Sequence, residues 1–311
     1  MDTRGRALRD LRLSVTDRCD FRCNYCMPEA TYTWLPRDDI LSFEELELVV
    51  RAFADAGVTK VRLTGGEPLL RRDLAVLVAR IAADPRITDI SLTTNGVHLV
   101  DQAAALRAAG LHRVTVSLDT MRADRHEAIT RRANHQGVLD GISAIGAAGL
   151  SGTKINTVVI RGTNDDELID LLEYGSSVGA EVRFIEYMDV GGATGWTCDA
   201  VVTSDEMLTR LGAAYGPIRA AEVRPAAPAR RYQLPDGRVF GIVASTTEPF
   251  CSTCDRSRVT ADGMWFRCLY AATGTDLRAL VRGGADAARL RNTIQEQWQE
   301  RTDQGAVDRL S

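Results

Sequence analysis

The chain has no apolar run approaching the roughly 18 residues that a membrane-spanning helix needs. Its first residues, Met1-Asp2-Thr3-Arg4-Gly5-Arg6, contain no apolar segment of the secretory kind. No sign of charge dominates. The formal net charge is −4, so no whole-protein basic field invites a nucleic acid or a membrane surface. Low-complexity blocks are absent. Histidine is scarce: His98, His112, His126 and His135 are the only four, and none adjoins a cysteine. These absences make a cytoplasmic protein the expectation, with no nucleic acid and no membrane among its partners. An anionic substrate stays compatible if local arginines supply the field. With 45% hydrophobic and 26% charged residues the composition is that of a globular protein with an ordinary core. A length of 311 residues suggests about two domains or one large α/β barrel.

Cysteine is what the chain does have. Seven are present, an odd number, and six of them fall in two groups. Without a secretory signal, that pattern favours metal binding in a reducing compartment over a disulfide framework. The first group is Cys19, Cys23 and Cys26, spaced C-x3-C-x2-C directly after Leu11-Arg12-Leu13-Ser14-Val15, whose alternation reads as a strand. Three thiolates on one loop can hold three irons of a cubane cluster and leave the fourth iron open. A closed zinc site would need a fourth ligand, and none is near in sequence. The second group is Cys251, Cys254 and Cys268. A zinc ribbon should show a second C-x2-C, but only Cys268 follows, and Cys198 reads as a bystander. Three thiolates again suggest a cluster with an open iron. Arg256 and Arg258 flank Ser257 beside it. An arginine pair is usually a solvated face, but beside an open metal site it reads better as a phosphate clamp.

Strands are expected over 11–15, 58–63, 90–93, 113–117, 154–159 and 181–186. Between them lie expected helices over 43–56, 73–83, 100–109, 136–148 and 165–178, the first opened by a Ser42/Glu45 capping box. Such alternation predicts an α/β fold, a partial (open) TIM-type barrel of about six βα units, with a doubly wound open sheet as the competing architecture. In barrels of this kind the active site collects on the loops after the strands. The cysteine loop, Gly65-Gly66-Glu67-Pro68, the 93–96 segment and Ser117 should then face one cavity. Glycine pairs at strand ends are often only tight turns, since glycine accepts unusual dihedrals. After about residue 191 the pattern changes. A loop is expected over 191–195, a Pro- and Ala-rich connector over 220–230, a hairpin around Pro235-Asp236-Gly237 and a helix over 286–300. The division expected is a barrel over 1–219 and a C-terminal region over 220–311 that carries the second cluster.

The first cysteine spacing, with Tyr25 before the last thiol, resembles the radical S-adenosylmethionine superfamily. The further matches narrow it. Leu11-Arg12-Leu13-Ser14-Val15-Thr16-Asp17-Arg18-Cys19, Arg62-Leu63-Thr64-Gly65-Gly66-Glu67-Pro68, Thr93-Thr94-Asn95-Gly96, Lys154-Ile155-Asn156, Phe184-Ile185-Glu186-Tyr187-Met188 and the second cysteine segment together resemble the GTP 3′,8-cyclase family, which opens molybdenum cofactor biosynthesis. The resemblance implies two 4Fe–4S clusters, one on Cys19, Cys23 and Cys26 and one on Cys251, Cys254 and Cys268. It implies S-adenosylmethionine at the first, held by Tyr25, Gly65, Gly66, Glu67, Ser117 and Met188. It implies GTP at the second, with Arg12, Lys60, Arg62, Thr93, Lys154, Arg256, Ser257 and Arg258 lining the substrate site. An adenosyl radical would take hydrogen from the ribose C3′, which would then close on C8 of guanine. The implied partners are an electron donor such as a flavodoxin or ferredoxin, the downstream cyclic pyranopterin monophosphate synthase, and a second copy of the chain.

Two other readings fit the motifs. One is a different two-cluster radical enzyme, such as a peptide-modifying one, which would not need Arg256 and Arg258. The other is an inactive paralogue. The family closes with a double glycine, whereas this chain ends Ala306-Val307-Asp308-Arg309-Leu310-Ser311.

Overall fold

Strand residues send successive side chains to opposite faces, and here the two faces differ in kind. In β1 (Asp10–Ser14) Leu11 and Leu13 are fully buried, while Asp10, Arg12 and Ser14 face the other way. The computed structural model, which describes residues 1–29, 31–189, 195–221 and 226–309, repeats this pattern strand after strand. α1 (Phe43–Asp55) leads to β2 (Lys60–Thr64), where Val61 and Leu63 are buried and Arg62 shares the face of Arg12. Next come α2 (Leu74–Ala82), β3 (Asp89–Thr94), α3 (Leu99–Ala108) and β4 (Arg113–Ser117). They are followed by α4 (Ala123–Thr130), α5 (His135–Ala147), β5 (Lys154–Val159), α6 (Leu168–Ser177) and β6 (Glu181–Glu186). The apolar face of the sheet packs on the helices and forms the core. The concave face carries arginine, lysine, threonine, serine and asparagine.

The remaining elements are α7 (Ser204–Tyr215), β7 (Arg219–Ala220), β8 (Arg230–Gln233), β9 (Val239–Val243), β10 (Arg256–Val259), β11 (Met264–Phe266), β12 (Thr275–Asp276), α8 (Leu277–Arg282), α9 (Ala287–Gln299) and α10 (Gly305–Asp308). Among the described residues the sheet runs β12-β11-β10-β1-β2-β3-β4-β5-β6-β9-β8-β7. It is open, with β7 and β12 as its edges. β10 joins β1 in parallel and β9 joins β6 in parallel, so strands from the C-terminal part extend the barrel wall at both ends.

The expected strands and helices lie within about three residues of the observed ones, and the open barrel is the architecture found. The Ser42/Glu45 capping box forms as expected. The hairpin around Pro235-Asp236-Gly237 forms between β8 and β9. The expected loop over 191–195 and connector over 220–230 fall partly outside the described residues. Not anticipated were α4, α7, α8, α10 and the strands β7 and β10 to β12. α7 carries a readable signal, a Thr203/Glu206 capping box followed by buried Met207 and Leu211. β10 to β12 are only two to four residues long; β10 pairs with β1, β11 with β10 and β12 with β11. Among the described residues no helix is long and apolar enough to cross a membrane.

The two ends of the chain meet on α1. It packs on α9, and Phe53 meets Trp265 of β11 edge-on, with ring centroids 5.6 Å apart. Phe53→Ala would leave a cavity where the barrel's first helix holds its last strands. It is expected to cost about 3–5 kcal/mol in denaturant unfolding, and a loss under about 1 kcal/mol would contradict this packing account.

Candidate active site

The loop after β1 brings Cys19, Cys23 and Cys26 to one wall of a cavity of about 240 Å³. Tyr25 of the same loop lines it too, with Gly66, Glu67, Thr93, Ser117 and Asn156 from neighbouring strands and the turns after them. The loop is held from several sides. The Arg22 amide donates to Thr130 O and the Asn24 amide to Ile129 O, tying it to the end of α4. Asp20 accepts from Asn95 Nδ2 at 2.7 Å and contacts His98 Nε2 at 3.1 Å.

Gly65 and Gly66 matter here for a reason other than a tight turn. Neither has positive φ. A Cβ on Gly65 would lie 2.5 Å from Thr16 O, and one on Gly66 2.2 Å from Arg18 O. The Gly66 amide donates to Thr16 O and the Glu67 amide to Arg18 O, at 2.9 and 2.7 Å. The pair thus lets β2's end run against the start of the cysteine loop. Gly66 lines the cavity, while Gly65 serves the approach. Glu67 is buried, and its carboxylate accepts from the Leu69 amide, the Thr94 hydroxyl and the Asn95 amide at 2.7–2.9 Å. Burial pushes its pKa up to about 7 in spite of those donors. Tyr25 donates to Asp119 Oδ2 at 2.6 Å. Asp119, which also accepts from the Val158 amide at 2.9 Å, is pushed up to about 6 by burial.

The second group forms a smaller cavity of about 70 Å³, lined by Cys251, Cys254 and Cys268 with Arg256 and Arg258. Both ends of the chain close it. Arg6 Nη1 donates to Cys251 O at 3.0 Å and Arg301 to Cys254 O at 2.9 Å. A Cβ on Gly305 would come within 3.0 Å of Cys268 Sγ. Met188 lines this second cavity rather than the first.

Between the cavities runs a row of cations. In register across the sheet stand Arg258, Arg12 and Arg62. Arg62 Nη1 reaches Thr93 Oγ1 at 3.2 Å and Thr115 Oγ1 at 3.3 Å, and so arrives at the first cavity. Arg256 covers the Phe250 ring at 4.5 Å. Among the described residues none of Arg12, Arg62, Arg256 and Arg258 pairs with a carboxylate, and buried nitrogens of Arg12 and Arg256 have no hydrogen-bond partner. Burial and then Arg258, Arg256 and Arg62 push the Arg12 pKa well down. Arg258 falls to about 10, through burial and Arg256. Lys154 donates to Gly152 O at 2.9 Å and falls to about 8, chiefly through burial and then Arg183. Lys60 stands exposed at the start of β2, on the face of Arg62 and one step along the strand from this row.

Ser257 does not share the face of its neighbours. A strand's period of two turns it to the helix side, opposite Leu11, where it is fully buried and its Oγ accepts from Trp265 Nε1. Arg183, Asp119, Asn156 and Arg301 were not foreseen as site residues. The first three sit on strands or at strand ends with the polar-inward alternation, which was the available signal.

The thiols fit clusters. Burial pushes Cys19 up to about 12 and raises Cys23 and Cys26, so a thiolate there requires a cation. Burial acts on Cys254 as well, but Arg256 and Arg301 outweigh it and leave this thiol below its ordinary value. Among the described residues no three metal-ligating side chains could hold a single ion, whereas the three thiols of each group surround one cavity. The orphaned Asn156 Oδ1 beside the first cavity leaves an acceptor free for a ligand.

Comparison with known proteins agrees with this geometry. Residues 13–175 match the Radical SAM superfamily and residues 180–307 match Molybdenum Cofactor Synthesis C. GTP 3′,8-cyclase 3 of Mycobacterium tuberculosis is 56% identical over all of this chain and 83% of its own length. The GTP 3′,8-cyclase of Staphylococcus aureus is 41% identical, over all of this chain and 93% of its own. The chain belongs to the GTP 3′,8-cyclase family. Two 4Fe–4S clusters and S-adenosylmethionine are the family's cofactors. Solved structures share the fold at low identity. Streptococcus suis SuiB bound to its precursor peptide SuiA has a TM-score of 0.64 at 14% identity, covering 97% of this chain and 76% of its own. anSMEcpe with bound AdoMet has 0.60 at 14%, covering 94% and 84%.

Two expectations test this site. Gly66→Ala should push the cysteine loop away and cost about half of the reconstituted iron; full iron loading would contradict the close-approach account. Glu67 holds its proton to about 7 when folded, against 4.5 as its ordinary value. Its contribution to stability is therefore present below the lower value and lost as pH rises through the upper. In denaturation of the apoprotein, stability should decline across that window less steeply in Glu67→Gln than in the wild type. Equal slopes would contradict the assignment.

Proposed function

We propose that this protein converts GTP to (8S)-3′,8-cyclo-7,8-dihydroguanosine 5′-triphosphate, the first step of molybdenum cofactor biosynthesis. The observation that carries the reading is the unpaired arginine row joining two cavities that each hold three thiols. When bound, the clusters and S-adenosylmethionine supply one-electron reduction and radical hydrogen abstraction at the ribose C3′. The chain's own part is to bind and orient. Cys19, Cys23 and Cys26 hold the first cluster, and Gly66, Tyr25 and Ser117 surround S-adenosylmethionine beside it. Cys251, Cys254 and Cys268 hold the second, toward the guanine.

The triphosphate lies along Arg258, Arg12 and Arg62, with Arg256, Lys154 and Arg183 as further cations and Thr93 at the near end. Burying cations without counterions costs several kcal/mol each. A tetra-anionic ligand relieves that cost, which a peptide would not do. The barrel over 1–219 thus supplies the radical chemistry and the region over 220–311 presents the substrate. We propose a cytoplasmic location, a flavodoxin- or ferredoxin-type reductant, a homodimer, and delivery of the product to cyclic pyranopterin monophosphate synthase.

The test is anaerobic turnover of reconstituted enzyme with GTP, S-adenosylmethionine and a reductant. 5′-Deoxyadenosine and the cyclised nucleotide are expected. Neither appearing with both clusters loaded would sink the reading. Arg12→Ala and Arg62→Ala should each lower kcat/KM for GTP about 10- to 100-fold, the worth of a charged hydrogen bond, with S-adenosylmethionine binding kept.

A further inference from the structure

Arg301 is buried in the wall of the second cavity, far in sequence from either cysteine motif. Its guanidinium reaches two atoms of Cys254. Nη1 donates to the carbonyl oxygen at 2.9 Å and Nη2 to Sγ at 3.7 Å. The rest of the group is held as firmly. Nε donates to Asp303 Oδ1 at 3.1 Å, Asp2 lies at 3.9 Å, and the face of the group covers Trp298 at 4.5 Å. Groups from both ends of the chain thus aim one N–H at one sulfur. Among the described residues no other cysteine sulfur receives a hydrogen bond from a charged side chain.

Hydrogen bonds to cluster sulfurs and the net charge nearby set an iron–sulfur cluster's potential. A cationic donor favours the reduced, more negative state. We propose that Arg301 is a positioning residue for the second cluster: it holds Cys254 in place as a ligand and raises that cluster's reduction potential. The inference rests on the two-cluster reading above. It separates Arg301 from Arg256 and Arg258, whose side chains line the cavity without a hydrogen bond to sulfur; Arg256 reaches the Cys254 sulfur through its backbone amide alone.

The test is an EPR-monitored redox titration of anaerobically reconstituted full-length enzyme, after iron and sulfide analysis. Arg301→Gln is expected to lower the midpoint of the second cluster and leave that of the first unchanged. Arg301→Lys, which keeps the charge, should recover part of the shift. An unchanged second midpoint in fully loaded Arg301→Gln overturns the proposal. A wild-type protein that loads only one cluster overturns the two-cluster reading instead. If Arg301→Gln does not load the second cluster, wild-type enzyme labelled with nitrogen-15 in arginine decides. An arginine-nitrogen coupling to the reduced second cluster, retained in Arg256→Lys and Arg258→Lys, is expected. Its absence overturns the proposal.

Discussion

Everything in the site depends on cations half-buried on the concave face without a carboxylate partner among the described residues. Arg258, Arg12 and Arg62 stand side by side across three parallel strands, and each strand's other face is pinned into the core by Leu11, Val61 and Val259. That alternation keeps the arginines on the concave face. Elsewhere the chain pairs its charges freely, as Arg125 does with Asp166 and Arg161 with Glu206. Under the proposed function, the cost of leaving the central row unpaired is offset when the triphosphate binds along it.

The fold serves that constraint twice. Parallel pairing from β10 through β1 to β2 sets the arginines in register, and the close approach at Gly66 brings the first thiols to the end of the same strands. The chain's two ends then close the second cavity, through Arg6 on Cys251 and Arg301 on Cys254. Radical chemistry needs its reacting atoms held in one geometry, and here the two thiol groups are both fastened to one rigid sheet rather than to separately moving parts.

The strand–helix rhythm of the first half was legible in sequence because each strand begins and ends at a turn or cap signal and is long enough to show its period. The cysteine groups were legible because ligand spacing is local. What was hidden depends on distance in sequence. Asp119 meets Tyr25 across 94 positions and Arg301 meets Cys254 across 47, and neither contact leaves a local pattern. β10 to β12 are too short to announce themselves. Ser257, implied as a site residue by the resemblance, sends its side chain to the helix side, because the strand's period of two separates it from Arg256 and Arg258. Met188 was assigned to the first cavity by resemblance and lines the second.

The central claim is that the unpaired arginine row receives a polyanion lying between two clusters. The most direct measurement is calorimetric binding of GTP, GMP and guanosine to the anaerobic holoenzyme at several salt concentrations. Affinity should fall stepwise as phosphates are removed, and the GTP affinity should weaken steeply with salt. Equal affinity for GTP and guanosine, indifferent to salt, would contradict the account.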